Sequence, residues 1–146
     1  MKYILNYRII VITFVLTNSF NQTNIMKILL VEDEPFMLEA ISSVIENTGS
    51  LVVKTDNAAE AKKLLDTDIF GLVITDLYLP EPDGFGLVNY IKQNPKTKNI
   101  PVVVVSGMVD HKEKLASKVP ADAWISKPFS LDQLLEPLKK YLAIEV

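Results

Sequence analysis

The chain has 146 residues, of which 49% are hydrophobic, which indicates one folded domain with a real core and argues against a disordered chain. A formal net charge of −3 argues against a protein that binds nucleic acid through bulk positive charge. With no cysteine and a single histidine, His111, the sequence excludes disulfides, thiolate catalysis and metal sites built from Cys or several His residues.

Residues 1–25 differ in character from the rest of the chain. Lys2 and Arg8 precede an apolar run over residues 9–16, which is interrupted by Thr13. A secretory signal would add a small-residue cleavage site, which is missing, and a membrane span would need a longer run. We favour a mis-assigned start, because Met26 opens the first strand directly, over a signal, a weak anchor or a functional extension. We therefore treat residues 1–25 as an N-terminal extension and residues 26–146 as the domain.

From Met26 onward, short apolar runs alternate with helical patterns. The runs are rich in Val, Ile and Leu and lack a period of two, which is typical of strands buried on both faces of a parallel sheet. They occupy residues 28–31, 51–53, 72–74, 102–105 and 123–125. Helices are predicted over residues 35–47, after a cap at Asn57, over 84–94 and 110–118, and after a cap at Ser130.

Five βα units in this order predict an α/β fold with an open, doubly wound, five-stranded parallel sheet. Pro137 should bend the last helix or limit its first turns. In such sheets the functional site lies beyond the carboxyl ends of the strands, near the point where the strand order reverses. The residues that follow each apolar run are therefore the candidates for a functional site.

Polar residues follow four of the predicted strands. They are Glu32, Asp33 and Glu34 after the first strand, Asp76 after the third, Ser106 after the fourth and Lys127 after the fifth. Crowded carboxylates repel one another by several kcal/mol at an effective dielectric constant of about 20, and Mg²⁺, which prefers oxygen ligands, relieves that repulsion. A carboxylate can also attack phosphorus, and transfer of a phosphoryl group needs mainly positioning and charge neutralisation. The sequence has no Gly-rich phosphate loop, which disfavours ATP as the direct donor.

Five motifs carry a resemblance to a known family. They are Val31-Glu32-Asp33-Glu34-Pro35, Thr75-Asp76-Leu77-Tyr78-Leu79-Pro80, Asp83-Gly84, Ser106-Gly107 and Lys127-Pro128-Phe129. With these motifs in order over residues 26–142, the sequence resembles the receiver domain of bacterial two-component response regulators, in the stand-alone, CheY-like form. The resemblance implies the flavodoxin-like strand order 2-1-3-4-5.

The resemblance also implies a role for individual side chains. Asp76 would accept a phosphoryl group from a phosphohistidine donor, and Lys127 and Ser106 would contact that group. Ser106 and Trp124 would change conformation on activation, although Trp124 is larger than the Tyr or Phe usual at its position. The domain would be a phosphoacceptor that assists its own phosphorylation and dephosphorylation, and not an enzyme acting on a separate substrate.

A magnesium site and a set of partners follow from the same resemblance. Asp33, Asp76, Glu32 and the backbone carbonyl of Tyr78 would hold Mg²⁺. The expected partners are a histidine kinase or a histidine phosphotransferase and a downstream protein target, in the cytoplasm, with no nucleic acid and no membrane contact by the receiver part. Phosphorylation-dependent dimerisation is left open. Bulky residues at Tyr78 and Met108, which flank the path of the hydrolytic water in the family, predict a long-lived phosphorylated form.

Three other classes of protein fit the sequence less well. A phosphatase of the haloacid dehalogenase type carries an Asp-x-Asp motif after its first strand. Here Leu77-Tyr78 follows Asp76, so the second Asp of that motif is missing. A non-phosphorylated scaffold would not need all five motifs. A flavin-binding protein would carry a phosphate loop after the first strand, where this chain has acids that repel phosphate.

Overall fold

A computed structural model describes residues 25–80, 83–107 and 117–143 of the chain. Within these ranges the chain order is β1 (Lys27–Val31), α1 (Pro35–Glu46), β2 (Leu51–Thr55), α2 (Ala58–Thr67), β3 (Leu72–Thr75), α3 (Gly84–Gln93), β4 (Val102–Ser106), β5 (Ala123–Ser126) and α4 (Leu131–Leu142). All four strand pairings are parallel, and the order in the sheet is β2-β1-β3-β4-β5. The predicted α/β fold and strand order are therefore confirmed.

The three central strands are buried on both faces, as their apolar runs predict, whereas the edge strands β2 and β5 are partly exposed. Every residue of β3 and β4 is buried, and in β1 only Lys27 is partly exposed. Alternate strand residues contribute to two separate core clusters: Leu29 and Val73 pack with α2 and α3, whereas Ile28 and Leu72 pack with α1 and α4. In the described part of the chain, two helices therefore cover each face of the sheet.

Side-chain caps fix the starts of the helices. The Asn57 side chain accepts a hydrogen bond from the backbone N–H of Glu60, and Ser130 forms a reciprocal capping box with Gln133, so both predicted caps are confirmed. Glu34 caps α1: its carboxylate accepts from the N–H groups of Phe36 and Met37 at 3.0 and 2.6 Å. A cap at this position places the start of α1 immediately behind the acids that follow β1.

Pro137 does not end the last helix, and the helix predicted over residues 110–118 cannot be assessed. Helix α4 continues from Leu131 to Leu142 through Pro137, which is buried. The helix predicted over residues 110–118 lies mostly outside the described residues. All of the predicted extension over residues 1–25 except Ile25 also lies outside them, so the domain boundary at Met26 stays a prediction. In the described ranges, no helix has both the length and the apolar character needed to cross a lipid bilayer.

Candidate functional site

Three carboxylates meet at the carboxyl edge of the sheet. Glu32 and Asp33 follow β1, and Asp76 follows β3, its hydrogen-bonded neighbour in the sheet. One carboxylate oxygen from each residue lies within 4.8 Å of the other two. Glu32 and Asp76 are buried and Asp33 is exposed, so the group opens to solvent on one side. The structure thus brings the predicted acids together in an arrangement that a hard cation with oxygen ligands would neutralise.

Lys127 joins two of these acids. Its ammonium Nζ lies 2.7 Å from Oε2 of Glu32 and 2.7 Å from Oδ2 of Asp76. The Lys127 backbone N–H donates to the carbonyl oxygen of Ser106 at 2.9 Å, which ties the end of β5 to the end of β4. One cation therefore partly compensates three acids, and the local charge balance stays negative.

Burial and ion pairing act in opposite directions on the titration of this pair. Burial raises the pKa of Glu32 above its ordinary value of 4.5, although the hydrogen bond and charge of Lys127 oppose that rise. For Lys127, burial lowers the pKa, but hydrogen bonds and attraction to Asp76 and Glu32 together outweigh it and raise the pKa above 10.5. Lys127 therefore remains a cation throughout the physiological range.

The backbone around Asp76 fixes the direction of its carboxylate. The Asp76 N–H donates to the carbonyl of Val31 at 3.1 Å, and the Thr75 hydroxyl donates to the Asp76 carbonyl at 2.8 Å. The Tyr78 N–H donates to Oδ1 of Asp76 at 3.0 Å, while Oδ2 faces Lys127. Each carboxylate oxygen thus has a defined partner, which orients the side chain before any ligand binds.

A glycine at the start of α3 lies against the backbone that carries Asp76. A Cβ atom placed on Gly84 would lie 2.0 Å from the carbonyl oxygen of Asp76 and 2.7 Å from Cα of Leu77. The Gly84 N–H donates to the Leu77 carbonyl at 3.1 Å, and the Asp83 side chain caps the helix through the N–H of Gly86 at 2.9 Å. Any side chain at position 84 would therefore displace the segment that presents Asp76.

Ser106 has an unsatisfied hydroxyl. Its Oγ is buried and has no hydrogen-bond partner among the residues that the structure describes. A buried polar atom without a partner costs about 1–3 kcal/mol, so its presence calls for an explanation in terms of function. Ser106 ends β4, beside Lys127, and a phosphoryl oxygen held between them would satisfy this hydroxyl.

Of the three remaining predicted positions, the structure describes Tyr78 and Trp124. Tyr78 is 41% exposed, and its ring packs edge-on against Phe85 with the centroids 6.0 Å apart. Trp124 is half-buried on β5, where it pairs with Val104 and packs against the core cluster on the α2–α3 face. The suggested motion of Trp124 stays a prediction. Met108, the other position expected to govern phosphoryl lifetime, lies outside the described residues.

Sequence reasoning assigned no individual role to two residues that shape the site. Thr75 is fully buried, and its hydroxyl bonds to the backbone carbonyl of Asp76. Gly84 was part of a motif, but its contact with the Asp76 carbonyl depends on how α3 returns to the sheet. The Asp-Gly pair at a helix start was the only signal for Gly84 in the sequence.

An acidic cluster, a bridging lysine and a free hydroxyl at the carboxyl edge of a 2-1-3-4-5 parallel sheet define a site suited to a cation and a phosphoryl group. Residues 28–139 match the family model of the response regulator receiver domain, and the chain belongs to that family. The predicted resemblance is thereby confirmed. Receiver domains of this family accept phosphoryl groups in two-component signalling, and they interact with histidine kinases and downstream targets.

Relatives of the chain include both short and long proteins. It is 28% identical over 116 residues to the polar-differentiation response regulator DivK of Brucella anthropi, covering 79% of this chain and 94% of DivK. It is 37% identical over 109 residues to the chemotaxis protein CheV1 of Helicobacter pylori, covering 68% of this chain and 33% of CheV1. Response regulator TrrA of Thermotoga maritima, solved in complex with Mg²⁺–BeF, superposes with a TM-score of 0.72 at 28% identity, over 80% of this chain and 98% of TrrA.

Proposed function

We propose that Asp76 is the phosphoacceptor of this receiver domain and that its phosphorylation is the signal passed to a partner. The observation that supports this most directly is the ammonium of Lys127, 2.7 Å from both Asp76 and Glu32. Asp76 thus lies beside a cation and beside the two other acids of the cluster, which supports its choice as the acceptor. A phosphohistidine on a histidine kinase or a histidine phosphotransferase is the proposed donor.

Transfer of the phosphoryl group from phosphohistidine to Asp76 forms one bond and breaks one bond, and it needs no further reagent. A carboxylate oxygen of Asp76 attacks phosphorus, an O–P bond forms, and the N–P bond of the phosphohistidine breaks. The bonding electrons remain on the imidazole nitrogen, which takes up a proton. Lys127, whose ammonium contacts Asp76 at 2.7 Å, neutralises a phosphoryl oxygen on that carboxylate, and the domain in this way assists its own phosphorylation and the later hydrolysis.

Magnesium is the proposed cofactor, as in TrrA, whose structure contains Mg²⁺–BeF. Asp33, Asp76 and Glu32 would hold it, with the backbone carbonyl of Tyr78 as a further ligand. The three carboxylates lie within 4.8 Å, and the hard oxygen donors fit a small divalent cation. When bound, the cation supplies charge neutralisation for the crowded acids and the transferred phosphoryl oxygens.

Ser106 and Trp124 are the proposed switch residues. The Ser106 hydroxyl has no partner in the unphosphorylated arrangement, so it is available to bond a phosphoryl oxygen. Movement of Ser106 toward that oxygen would change the space behind β4, next to the half-buried Trp124 on β5. The ring of Trp124 would then move and alter the surface that a target protein or a second phosphorylated copy contacts.

Two exposed apolar side chains at the carboxyl edge of the sheet suit contact with the phosphodonor. Phe36, the second residue of α1, is 79% exposed, and Leu131, the first residue of α4, is 57% exposed. They lie at the starts of the two helices that cover the same face of the sheet, shortly after the strand ends that carry Asp33 and Lys127. A donor that covered both would exclude water from the transfer. Charged residues at these two positions should slow transfer from the kinase without slowing transfer from acetyl phosphate.

The test uses the full chain with a small phosphodonor. We expect incubation with Mg²⁺ and acetyl phosphate to add the mass of one phosphoryl group, as measured by intact mass spectrometry, and Mg²⁺ with beryllofluoride to change Trp124 fluorescence. The variant Asp76→Asn should show neither effect. Asp66→Asn, which changes an exposed aspartate of α2 outside the acidic cluster and keeps an oxygen that can accept from the Tyr90 hydroxyl, is the control and should behave like the wild type.

Two outcomes would reject the proposal. Phosphorylation that persists in Asp76→Asn would place the acceptor elsewhere in the chain. No mass gain and no response to Mg²⁺ would leave the scaffold interpretation as the better account of this domain.

A further inference from the structure

Thr75 carries a hydroxyl into an apolar part of the sheet. It is the last residue of β3 and is 0% exposed. Its neighbours across the sheet are Val31 of β1 and Val104 of β4, which are also fully buried. Valine has nearly the shape of threonine without the hydroxyl, and burying that hydroxyl is unfavourable unless it forms a hydrogen bond. The bond that the Thr75 hydroxyl forms therefore calls for a reason.

The acceptor of this hydroxyl is the backbone carbonyl of Asp76, at 2.8 Å. The Asp76 N–H donates to the carbonyl of Val31 at 3.1 Å, so both backbone polar groups of Asp76 have partners. Each residue has two soft backbone angles, and rotation about the Cα–C bond, the ψ angle, moves the carbonyl oxygen. The bond from Thr75 therefore restricts the ψ angle of Asp76.

The ψ angle of Asp76 determines where the residues that follow it lie. The Tyr78 N–H donates to Oδ1 of Asp76 at 3.0 Å, while Oδ2 lies 2.7 Å from the ammonium of Lys127. Gly84 lies against the same carbonyl oxygen, since a Cβ atom there would be only 2.0 Å from it. A change in ψ would therefore move the Tyr78 N–H relative to Oδ1, together with the Tyr78 carbonyl that is proposed to bind Mg²⁺.

We propose that the Thr75 hydroxyl is a positioning group for the phosphoacceptor. By holding the Asp76 carbonyl, it presents the Asp76 carboxylate and the Tyr78 carbonyl to Mg²⁺ and to the phosphoryl group. Because its hydroxyl bonds to the backbone, Thr75 acts through Asp76 and Tyr78, as the outer partners of metal ligands do. The inference rests on the proposed function, since it gives Thr75 a role in the site that Asp76 forms.

Two substitutions in the full chain separate the hydroxyl of Thr75 from its shape. Thr75→Val keeps the shape and removes the donor, whereas Thr75→Ser keeps the donor and removes a buried methyl group. Both should lose some stability, but only Thr75→Val loses the bond to Asp76. Thr55→Val is the matched control, because Thr55 ends β2, also pairs with Val31, and bonds through its hydroxyl to Asn57 at 3.5 Å.

We expect Thr75→Val to bind Mg²⁺ about tenfold more weakly than wild type and to accept a phosphoryl group from acetyl phosphate about tenfold more slowly at saturating Mg²⁺. Thr75→Ser and Thr55→Val should remain close to wild type in both respects. Isothermal titration calorimetry measures the affinity, and intact mass measures the rate. In proton–nitrogen correlation spectra of the metal-free protein, the Tyr78 amide should shift in Thr75→Val and hardly at all in Thr75→Ser.

Urea titrations establish that each variant is folded under the conditions of these measurements. Wild-type Mg²⁺ affinity and an unshifted Tyr78 amide in Thr75→Val would overturn the inference. Equal losses in Thr75→Val and Thr75→Ser would also overturn it, because a hydroxyl with a merely structural role gives that result. If the wild type itself gains no phosphoryl mass, the proposed function fails, and the Mg²⁺ affinity and the Tyr78 amide still decide the role of Thr75.

Discussion

The ammonium of Lys127 lies 2.7 Å from Oδ2 of Asp76, although 51 positions separate the two residues in the chain. The same nitrogen contacts Glu32, which is 2% exposed. Before any cation or phosphoryl group binds, one lysine is therefore the internal counter-ion for two buried acids on neighbouring strands. The charge balance of the site depends on this side chain, and so does its stability.

Removal of Lys127 should destabilise the protein most when Mg²⁺ is absent. In Lys127→Met, Glu32 and Asp76 lose their shared cation while still buried, and we expect the free energy of unfolding to fall by about 2 kcal/mol in EDTA. Saturating Mg²⁺ should recover part of that loss. Lys54→Met, which breaks an exposed ion pair with Glu39, is the control and should have a much smaller effect. Urea titrations of the three proteins measure the difference, and equal losses for both variants would contradict it.

Glu32 should make the metal-free protein less stable as the pH rises. Burial raises the pKa of Glu32 above 4.5, so the folded state holds this proton more tightly than the unfolded state does. The stabilisation from protonated Glu32 is present at low pH and is lost as the pH rises through its folded-state pKa. The stability of Glu32→Gln should therefore increase relative to wild type between pH 4.5 and neutrality.

Chemical denaturation in EDTA at several pH values measures this relative stability. Glu39→Gln, which removes an exposed carboxyl group, supplies the control. A stability difference between Glu32→Gln and wild type that is constant across the pH range would refute the assignment. With Mg²⁺ bound, the pH dependence should shift, because the metal requires the deprotonated carboxylate.

Gly84→Ala should disturb both stability and the presentation of Asp76. The new Cβ would lie 2.0 Å from the Asp76 carbonyl oxygen, so backbone must move, and we expect a loss of about 3 kcal/mol in the free energy of unfolding. The rate of phosphorylation by acetyl phosphate should fall together with stability. Gly107→Ala is the control, since it is the same substitution at another glycine. A Cβ placed on Gly107 has no atom within 4 Å, so this variant should be tolerated. Similar thermal unfolding midpoints for the two variants would show that the contact at Gly84 is not limiting.

Ser106→Ala should separate stability from function. Its Oγ has no partner to lose, so we expect the unphosphorylated variant to be as stable as wild type within about 1 kcal/mol, or more stable. Affinity for the beryllofluoride mimic should fall about tenfold, because a hydrogen bond to the bound group is lost. In contrast, Thr75→Val loses a formed bond to the Asp76 carbonyl and should be destabilised by about 1 kcal/mol. A large stability loss in Ser106→Ala would indicate a structural role for its hydroxyl.

A smaller polar side chain at position 78 should shorten the life of the phosphorylated form. Tyr78 lies beside Asp76, and its ring is held edge-on by Phe85, where it can obstruct the approach of water. We expect Tyr78→Asn to speed dephosphorylation several-fold, and Tyr78→Asn combined with Met108→Glu to speed it further. Loss of the phosphoryl group is followed by intact mass after the donor is removed. Tyr141→Asn, which changes a tyrosine on α4, is the control, and an unchanged rate in both Tyr78 variants would contradict the prediction.

The order of strands and helices was predictable from the sequence because it depends on local patterns of apolar and capping residues. Apolar runs without a period of two identified all five strands, and caps at Asn57 and Ser130 located two helix starts. Strand ends also predicted which polar residues would meet, since parallel strands deliver their carboxyl ends to one edge of the sheet. The three acids and Lys127 therefore converge as expected.

The contacts that depend on tertiary geometry were not predictable. No sequence rule makes Lys127 bridge Glu32 as well as Asp76, because that contact depends on the distance between β1 and β5 across the sheet. The unsatisfied hydroxyl of Ser106 is visible only once its surroundings are known. The cap formed by Glu34 departs from the residues that usually occupy this position, which are Ser, Thr, Asp and Asn.

The two acids that Lys127 joins come from distant parts of the chain, and Glu32 lies 95 positions before it. Between them, β3 and β4 must take their places in the sheet, and a slip of one residue in either strand would turn its side chains to the opposite face. A fragment or a partly folded chain therefore cannot assemble the site. Phosphorylation at Asp76 would thus be restricted to fully folded molecules, so a misfolded or truncated chain could not be phosphorylated and could not signal.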